Sequence, residues 1–350
     1  MAEINPPELF IGSDAIQPFS QEPVSMAEQE AKPQIILMGL RRCGKSSIAQ
    51  VVFNKITPNG TVLLESTTKI EFTDIETNTF LHYELVEIPG QMDIFESTVP
   101  MNHEGLFSNC DAVIYIIDCS DSYESALPYL YQIVTCAHKI NPKIRFEVFI
   151  HKTDVLRQDG DKLAIRRSIY YKVTRDLQDS CLEAVKLHFY LTSIYDYSIF
   201  EALSSVVQKL IPELPTLENM LNLLNQKCRI EKSYLFDLHS KIYIATDSTP
   251  LDIAMYALVS DMIDTVLDLA NIYDSGSDAK DANLSSTFEL NNKSFLFLKK
   301  VNQYLALVVF MTGEDLQETS GLIEYNFYLF KKALENVFEI RTRKSKEKLL

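Results

Sequence analysis

Lys45 and Ser46 close the octapeptide Gly39-Leu-Arg-Arg-Cys-Gly44-Lys-Ser, whose spacing is that of a phosphate-binding loop. A lysine in that place reaches the β- and γ-phosphates of a nucleotide, and the hydroxyl after it ligates Mg²⁺. Gly39 and Gly44 let the backbone wrap an anion without Cβ clashes. The loop's N–H groups, through Arg41, Arg42 and Cys43 and on to Ser47, then point inward at the phosphate. Such a loop needs a strand before it and a helix after it. Gln34–Met38 is an apolar run that reads as a buried strand, and 47–53 reads as a helix whose dipole favours the negative charge.

Further stretches follow in chain order with residues suited to the rest of a guanine-nucleotide site. Thr67, in Leu64-Glu-Ser-Thr67, is placed to complete Mg²⁺ coordination with its hydroxyl and to touch the γ-phosphate with its N–H; Thr68 is the alternative. Glu87-Ile-Pro-Gly90-Gln91 ends the run 81–88. Gly90 would give its N–H to the γ-phosphate, so that loss of that phosphate releases the loop, and Gln91 would orient the attacking water. Glu87 stands on the metal side. His151-Lys-Thr-Asp154 follows the run 146–150. A carboxylate at Asp154 pairs with the N1–H and N2–H₂ donors that guanine has and adenine lacks, and leaving those donors unpaired is costly. Lys152 would lay its stem against the base plane. His151 stands where small GTPases carry Asn, so the tie from this loop to the phosphate loop is made by an imidazole or is weakened. Ser193 and Ile194, after the run 187–191, fit the stretch whose backbone N–H meets the guanine oxygen.

These groups require a frame. From Gln34 to Leu214, strand-like runs (81–88, 112–118, 146–150, 187–191) alternate with helical patterns. Such alternation predicts an α/β fold, a mostly parallel, doubly wound sheet whose ligands sit at the carboxyl ends of its strands, with each motif at one of those ends. Residues 1–33 carry five prolines among acidic and small residues and read as a flexible arm. Residues 34–214 form the nucleotide-binding domain, and 215–229 a connecting helix that starts at Thr216, between Pro215 and an apolar pattern. Beyond it, 234–238 and 242–246 flank a short turn as in a hairpin. A helix with the stripe Met255, Leu258, Val259, Met262, Ile263 and Val266 follows, then a polar loop over 275–286. Runs at 287–290, 295–298 and 304–311 and a last helix complete a small α+β module over 230–340, with a basic tail at 341–350.

Composition narrows the function class. The chain has 350 residues, 46% of them hydrophobic, enough for two cores. A net charge of -15 argues against nucleic acid as a general partner. No apolar run approaches a membrane span, the start shows no secretory signal, and neither end carries a lipidation motif. Six cysteines without C-x-x-C pairing favour reduced thiols, and Cys43 reads as a small filler. The expectation is an intracellular protein that does not insert into a membrane.

Taken together, Gly39–Ser47, Leu64-Glu-Ser-Thr67, Pro89-Gly-Gln91, His151-Lys-Thr-Asp154, Leu191–Asp196 and Gln208–Asn219 resemble the Rag GTPases, specifically the C/D class with its fungal counterpart. The A/B class has Thr after the loop lysine and Gly-Gly-Gln in the second switch. The resemblance, which runs from about Gln34 to Ile340, implies a Ras-like G domain that binds GTP and GDP with Mg²⁺. It implies a C-terminal roadblock-type domain that pairs with an A/B-class Rag subunit. It further implies docking on a lysosomal or vacuolar scaffold complex, relay of amino-acid sufficiency to the TOR kinase complex, TORC1, and a GTPase-activating protein acting in trans. The implied location is the cytoplasm, peripheral at that membrane, with the nucleus as a further one.

Two departures bear on mechanism. Glu87 replaces the usual Asp and is one methylene longer, so it holds the Mg²⁺ shell through a different water or not at all. Arg41 and Arg42 stand where fast GTPases carry small residues, and their bulk predicts slow hydrolysis. No arginine is assignable as a finger in cis. The rival readings are a nucleotide-bound scaffold that does not hydrolyse and a phosphate-loop ATPase or kinase.

Overall fold

In β1 (Gln34–Met38), Ile35 and Leu37 face one way and Ile36 and Met38 the other, and all four are buried. That is the signature of a strand covered on both faces. The computed structural model describes residues 32–348 except 79–80, 93, 96–102, 121–122, 181, 251, 274–283, 291–292 and 314–315. The expected arm, except for residues 32–33, most of the expected 275–286 loop and the last two residues of the tail therefore lie outside the described residues.

β1 runs parallel to β3 (Leu81–Glu87) on one side and β4 (Cys110–Asp118) on the other. With β2 (Glu71–Asn78), β5 (Arg145–His151) and β6 (Leu187–Thr192) they form a six-stranded sheet of order β2-β3-β1-β4-β5-β6. Among these strands β2 alone is antiparallel. Helices α1 (Lys45–Phe53) and α5 (Ser198–Lys209) cover one face through Ile48, Val52, Leu203 and Val206. The other face takes α2 (His103–Ser108), α3 (Ala126–Ile140) and α4 (Asp159–Asp179), through Phe107, Leu130, Ile133 and Val173. This is a Ras-like arrangement of a mostly parallel sheet between two helical layers.

β2 had no sequence forecast, for a physical reason. It is a sheet edge carrying Glu71, Asp74 and Glu76, with Phe72 exposed and Ile75 buried, so no clean apolar face marks it. Its direction corrects another expectation. Thr67 lies at no strand's carboxyl end; it precedes β2, whose first residue Glu71 pairs with Glu87 at the end of β3. An antiparallel edge strand thus begins where the parallel strands finish, and its leading loop reaches the same rim.

A second, five-stranded sheet follows, wholly antiparallel, of order β8-β7-β11-β10-β9. Its strands are β7 (Lys232–Asp237), β8 (Tyr243–Thr246), β9 (Ser285–Leu290), β10 (Ser294–Lys300) and β11 (Leu305–Thr312). α6 (Leu214–Cys228) and α8 (Leu316–Lys348) pack on one face, and α7 (Ile253–Tyr273) on the other. α6 begins at Leu214 rather than Thr216. Pro215 sits in its first turn, where a missing N–H costs nothing, and no side chain caps it. On α7, Leu258 is 36% exposed and Tyr256 takes its place on the buried face. α8 continues through the expected tail to Lys348. One continuous core joins the two sheets by way of α5 and α6, where the Tyr243 N–H donates to Ser204 Oγ at 3.1 Å.

Candidate functional site

The phosphate loop fills the turn between β1 and α1. Gly44 has φ +105°, and a Cβ there would lie 2.7 Å from the His151 ring. The buried Lys45 turns back on the loop, its Nζ donating to Gly39 O at 2.9 Å and Leu40 O at 3.0 Å. Burial pushes the Cys43 thiol up, against the opposing Lys45 charge, which suits an inert filler. Ser47 continues the first turn of α1.

Three oxygens from three elements meet at the mouth of this loop. Ser46 Oγ lies 2.8 Å from Thr67 Oγ1 and donates to Glu87 Oε1, and Thr67 Oγ1 is 3.4 Å from the same carboxylate oxygen. Thr68, the alternative, is exposed, whereas Thr67 is half-buried. The longer Glu87 side chain therefore still reaches the hydroxyl pair. Burial pushes its carboxyl up, opposed by the Ser46 bond and the Lys45 charge. A buried carboxylate with two convergent hydroxyls is a hard-oxygen donor set, and it fits a small divalent cation such as Mg²⁺.

Gly90 packs directly on the loop: a Cβ there would lie 2.5 Å from Arg41 N and from the Leu40 carbonyl group. The next residue, Gln91, is exposed, its Nε2 donating to Thr67 O at 3.4 Å. Arg41 and Arg42 both expose their side chains. Arg41 Nη2 reaches Ser66 Oγ at 3.5 Å, and Arg42 adopts φ +63°. A cleft of about 520 Å³ joins this end of the site to Lys152.

The other end is built on β4, β5 and β6. His151, 1% exposed, does not hydrogen-bond the phosphate loop. Its ring sits under Gly44 and its Nδ1 pairs with Thr192 Oγ1 at 2.9 Å. Burial first, then the Lys152 charge, lowers its pKa to about 4, so the imidazole is neutral at pH 7. The tie to the phosphate loop comes from Lys152, whose Nζ donates to Arg42 O at 2.8 Å and to Asp118 Oδ2 at 2.5 Å. Asp154 is exposed and accepts from Ser193 Oγ at 2.5 Å, so the two base-reading stretches meet. The Ser193 N–H donates to Ser198 Oγ at 2.9 Å and the Tyr195 N–H to Ser193 Oγ at 3.1 Å, which leaves the N–H of Ile194 uncommitted among the described residues. Asp154, Ser193 and Ile194 lie beyond the cleft's walls. Asp118 was missed by sequence reasoning, although its signal was legible: an acidic residue ending an apolar run, as His151 ends its own.

A phosphate loop, a hydroxyl–carboxylate cluster and a guanine-type carboxylate on one rim of a mostly parallel sheet define a nucleotide-binding protein of the G-domain class. Residues 34–263 match the family model for the Gtr1/RagA G protein conserved region. The chain is 50% identical over 314 residues to Ras-related GTP-binding protein C of Mus musculus, covering 89% of this chain and 78% of that protein. It is 46% identical over 319 residues to GTP-binding protein gtr2 of Schizosaccharomyces pombe, covering 89% and 100%. Against GTP-binding protein gtr1 of the same yeast, identity is 27% over 296 residues, covering 83% and 92%. The chain belongs to the Gtr1/RagA family of G proteins and is a GTPase, closer to the C and gtr2 proteins than to gtr1.

Proposed function

We propose that this protein is a slow guanine-nucleotide switch working as one half of a heterodimer with an A/B-class Rag subunit. The observation that carries the reading is the meeting of Ser46, Thr67 and Glu87 beside Lys45, on the same rim as Asp154. Ser46 and Thr67, with Glu87 behind them, would hold Mg²⁺, which supplies charge neutralisation for the phosphates. Lys45 stabilises charge developing on the γ-phosphate, and Gln91 orients the water that attacks it in line. Asp154 takes the guanine N–H donors, and the Ile194 N–H meets the guanine oxygen. Gln91 is exposed and, among the described residues, held by one long contact, so its ordering awaits an activating protein. Turnover without an activator is expected near the rate of unassisted Ras, about 3–5 × 10⁻⁴ s⁻¹.

We read the second sheet as a roadblock-type dimerisation module. Its strand order leaves β9 at an outer edge, and α7, packed on one face of the sheet, exposes Leu258, Leu269 and Ile272. We further propose, on the resemblance to the Rag GTPases, docking through the partner on a lysosomal or vacuolar scaffold and relay of amino-acid sufficiency to TORC1.

The test is single-turnover hydrolysis of GTP, with ATP as control, on this chain co-purified with an A/B-class subunit carrying a xanthine-specific pocket. Slow Mg²⁺-dependent loss of GTP alone supports the switch; turnover above about 1 s⁻¹ without an activator overturns the assignment of slow hydrolysis. The second reading is a nucleotide-bound scaffold that does not hydrolyse, favoured by the loosely held Gln91 and by Glu87 in the usual place of Asp. Gln91→Leu separates them, since only a hydrolysing protein has turnover to lose.

A further inference from the structure

Lys152 stands out in the backbone. It adopts φ +63° and ψ 36°, a left-handed conformation that a side chain makes costly and that its surroundings must hold. Its Nζ bridges two elements: Asp118 Oδ2 at the end of β4, and the carbonyl of Arg42, itself at φ +63°, in the phosphate loop. Among the described residues, no other hydrogen bond links the 151–154 stretch to the phosphate loop. In this chain the His151 ring lies edge-on to Gly44 without a hydrogen bond to the loop and bonds sideways to Thr192, so the polar link rests on the lysine.

The Asp118 carboxylate is itself locked. Its Oδ1 accepts from Ser120 N at 2.8 Å and from Ser120 Oγ at 2.5 Å, which leaves Oδ2 for the ammonium. β4 and β5 pair Asp118 with His151, and the Cys119 N–H donates to His151 O at 3.0 Å, so the carboxylate has a fixed height above the sheet. Burial alone would raise its pKa; the Lys152 and Ser120 donors outweigh that and hold it below the usual carboxylate range. With side chains 17% and 34% exposed, the pair is not a strong source of fold stability. Its geometry suits positioning better.

We propose that Asp118 is a positioning residue for nucleotide binding: it holds the Lys152 ammonium on the Arg42 carbonyl, and so locks the base-reading loop to the phosphate loop. This rests on the reading of Lys152 and Asp154 as base-pocket residues. An ammonium has three donors, and two are committed to Asp118 and Arg42, which fixes the direction of the stem that would lie on the base. Without the carboxylate, Lys152 would lose one of its two anchors, and its stem would swing with the loop.

The test is a double-mutant cycle on the full chain, read as the dissociation constant and off-rate of a fluorescent GDP analogue. Lys152→Met and Asp118→Asn should each weaken binding roughly 10- to 100-fold, as expected for losing a charge-assisted bond. The double variant should be no worse than Lys152→Met alone, because Asp118 acts through the lysine. Asp118→Glu should recover part of the loss. Asp118→Asn binding GDP within about twofold of the parent, or a double variant that loses the product of the two effects, overturns the proposal. Asp154→Asn, run in parallel with xanthosine diphosphate, keeps the two readings apart. Failure to gain xanthosine binding sinks the base pocket itself, whereas a gain beside a silent Asp118→Asn sinks only the positioning role.

Discussion

The two ends of the nucleotide rim are built differently. At the base end His151, Thr192, Ser193 and Thr153 are all nearly fully buried, and the stretch rests on strands β4, β5 and β6. At the phosphate end, Thr67 and Gln91 come from loops, Gln91 is exposed, and the contact between them is a 3.4 Å hydrogen bond. Buried strand ends hold a fixed geometry, and exposed loops have alternatives at low cost. The rim therefore suits a protein that never changes which base it reads but changes shape with the number of phosphates.

The comparison breaks most sharply at Asp154. Replacing it with Asn removes an anionic acceptor for two guanine N–H donors, each worth about 1.5–3 kcal/mol. GTP affinity should fall roughly 10²–10⁴-fold while xanthosine triphosphate gains, read by competition binding on the purified chain. Unchanged GTP affinity would mean that the rigid end does not read the base.

His151 gives the next effect. Its pKa of about 4 in the folded chain lies below the unfolded value of 6.5, because burial disfavours the charged ring. The unfolded state thus binds the proton more tightly. This stabilisation is complete above about pH 6.5 and is lost as the pH falls toward 4, by about 3 kcal/mol in all. Urea unfolding of the parent and of His151→Asn from pH 7 to 4.5 isolates it from the carboxylates, which both proteins share. Parallel pH profiles would show that the ring is not buried as described.

Much of the rigid end was legible in the sequence, and the reason is local. Strands buried on both faces announce themselves as apolar runs, so the residue that ends each run can be placed without knowing its neighbours. That placed His151 and Ser193 at strand ends, and Glu87 likewise at the phosphate end. What stayed hidden depends on chain reversals and partners. β2 carries its register in pairing with β3 rather than in its own pattern, so the route by which Thr67 reaches Ser46 had no sequence signature. The replacement of an Asn tie by Lys152 and Asp118 is a choice between acceptors, settled only once β4 and β5 lie side by side.

At the phosphate end, Gly90 packs tightly on the phosphate loop. An alanine Cβ would sit 2.5 Å from the backbone of residues 40 and 41, which has no soft side chain to yield. Gly90→Ala should cost about 1–3 kcal/mol by urea denaturation, a cost of overpacking. It should also lower the preference for GTP over GDP. A stability equal to the parent's would show that the second switch lifts off the phosphate loop freely.

The smallest expected effect belongs to Arg41. Its bulk predicts slow hydrolysis, yet its guanidinium runs toward Ser66, on the first-switch side, and is exposed there. A 3.5 Å contact between exposed groups is worth well under about 1 kcal/mol. Arg41→Ala should therefore raise the GDP off-rate no more than about fivefold and intrinsic hydrolysis no more than a few-fold, since Gln91 stays as loosely held as before. Stopped-flow release of a fluorescent GDP analogue and single-turnover hydrolysis read the two separately. A rise in hydrolysis of about a hundredfold would identify Arg41 as the brake. The slow rate would then lie in the phosphate loop itself rather than in the weak hold on Gln91, and an activating protein would have to displace an arginine before it could order a water.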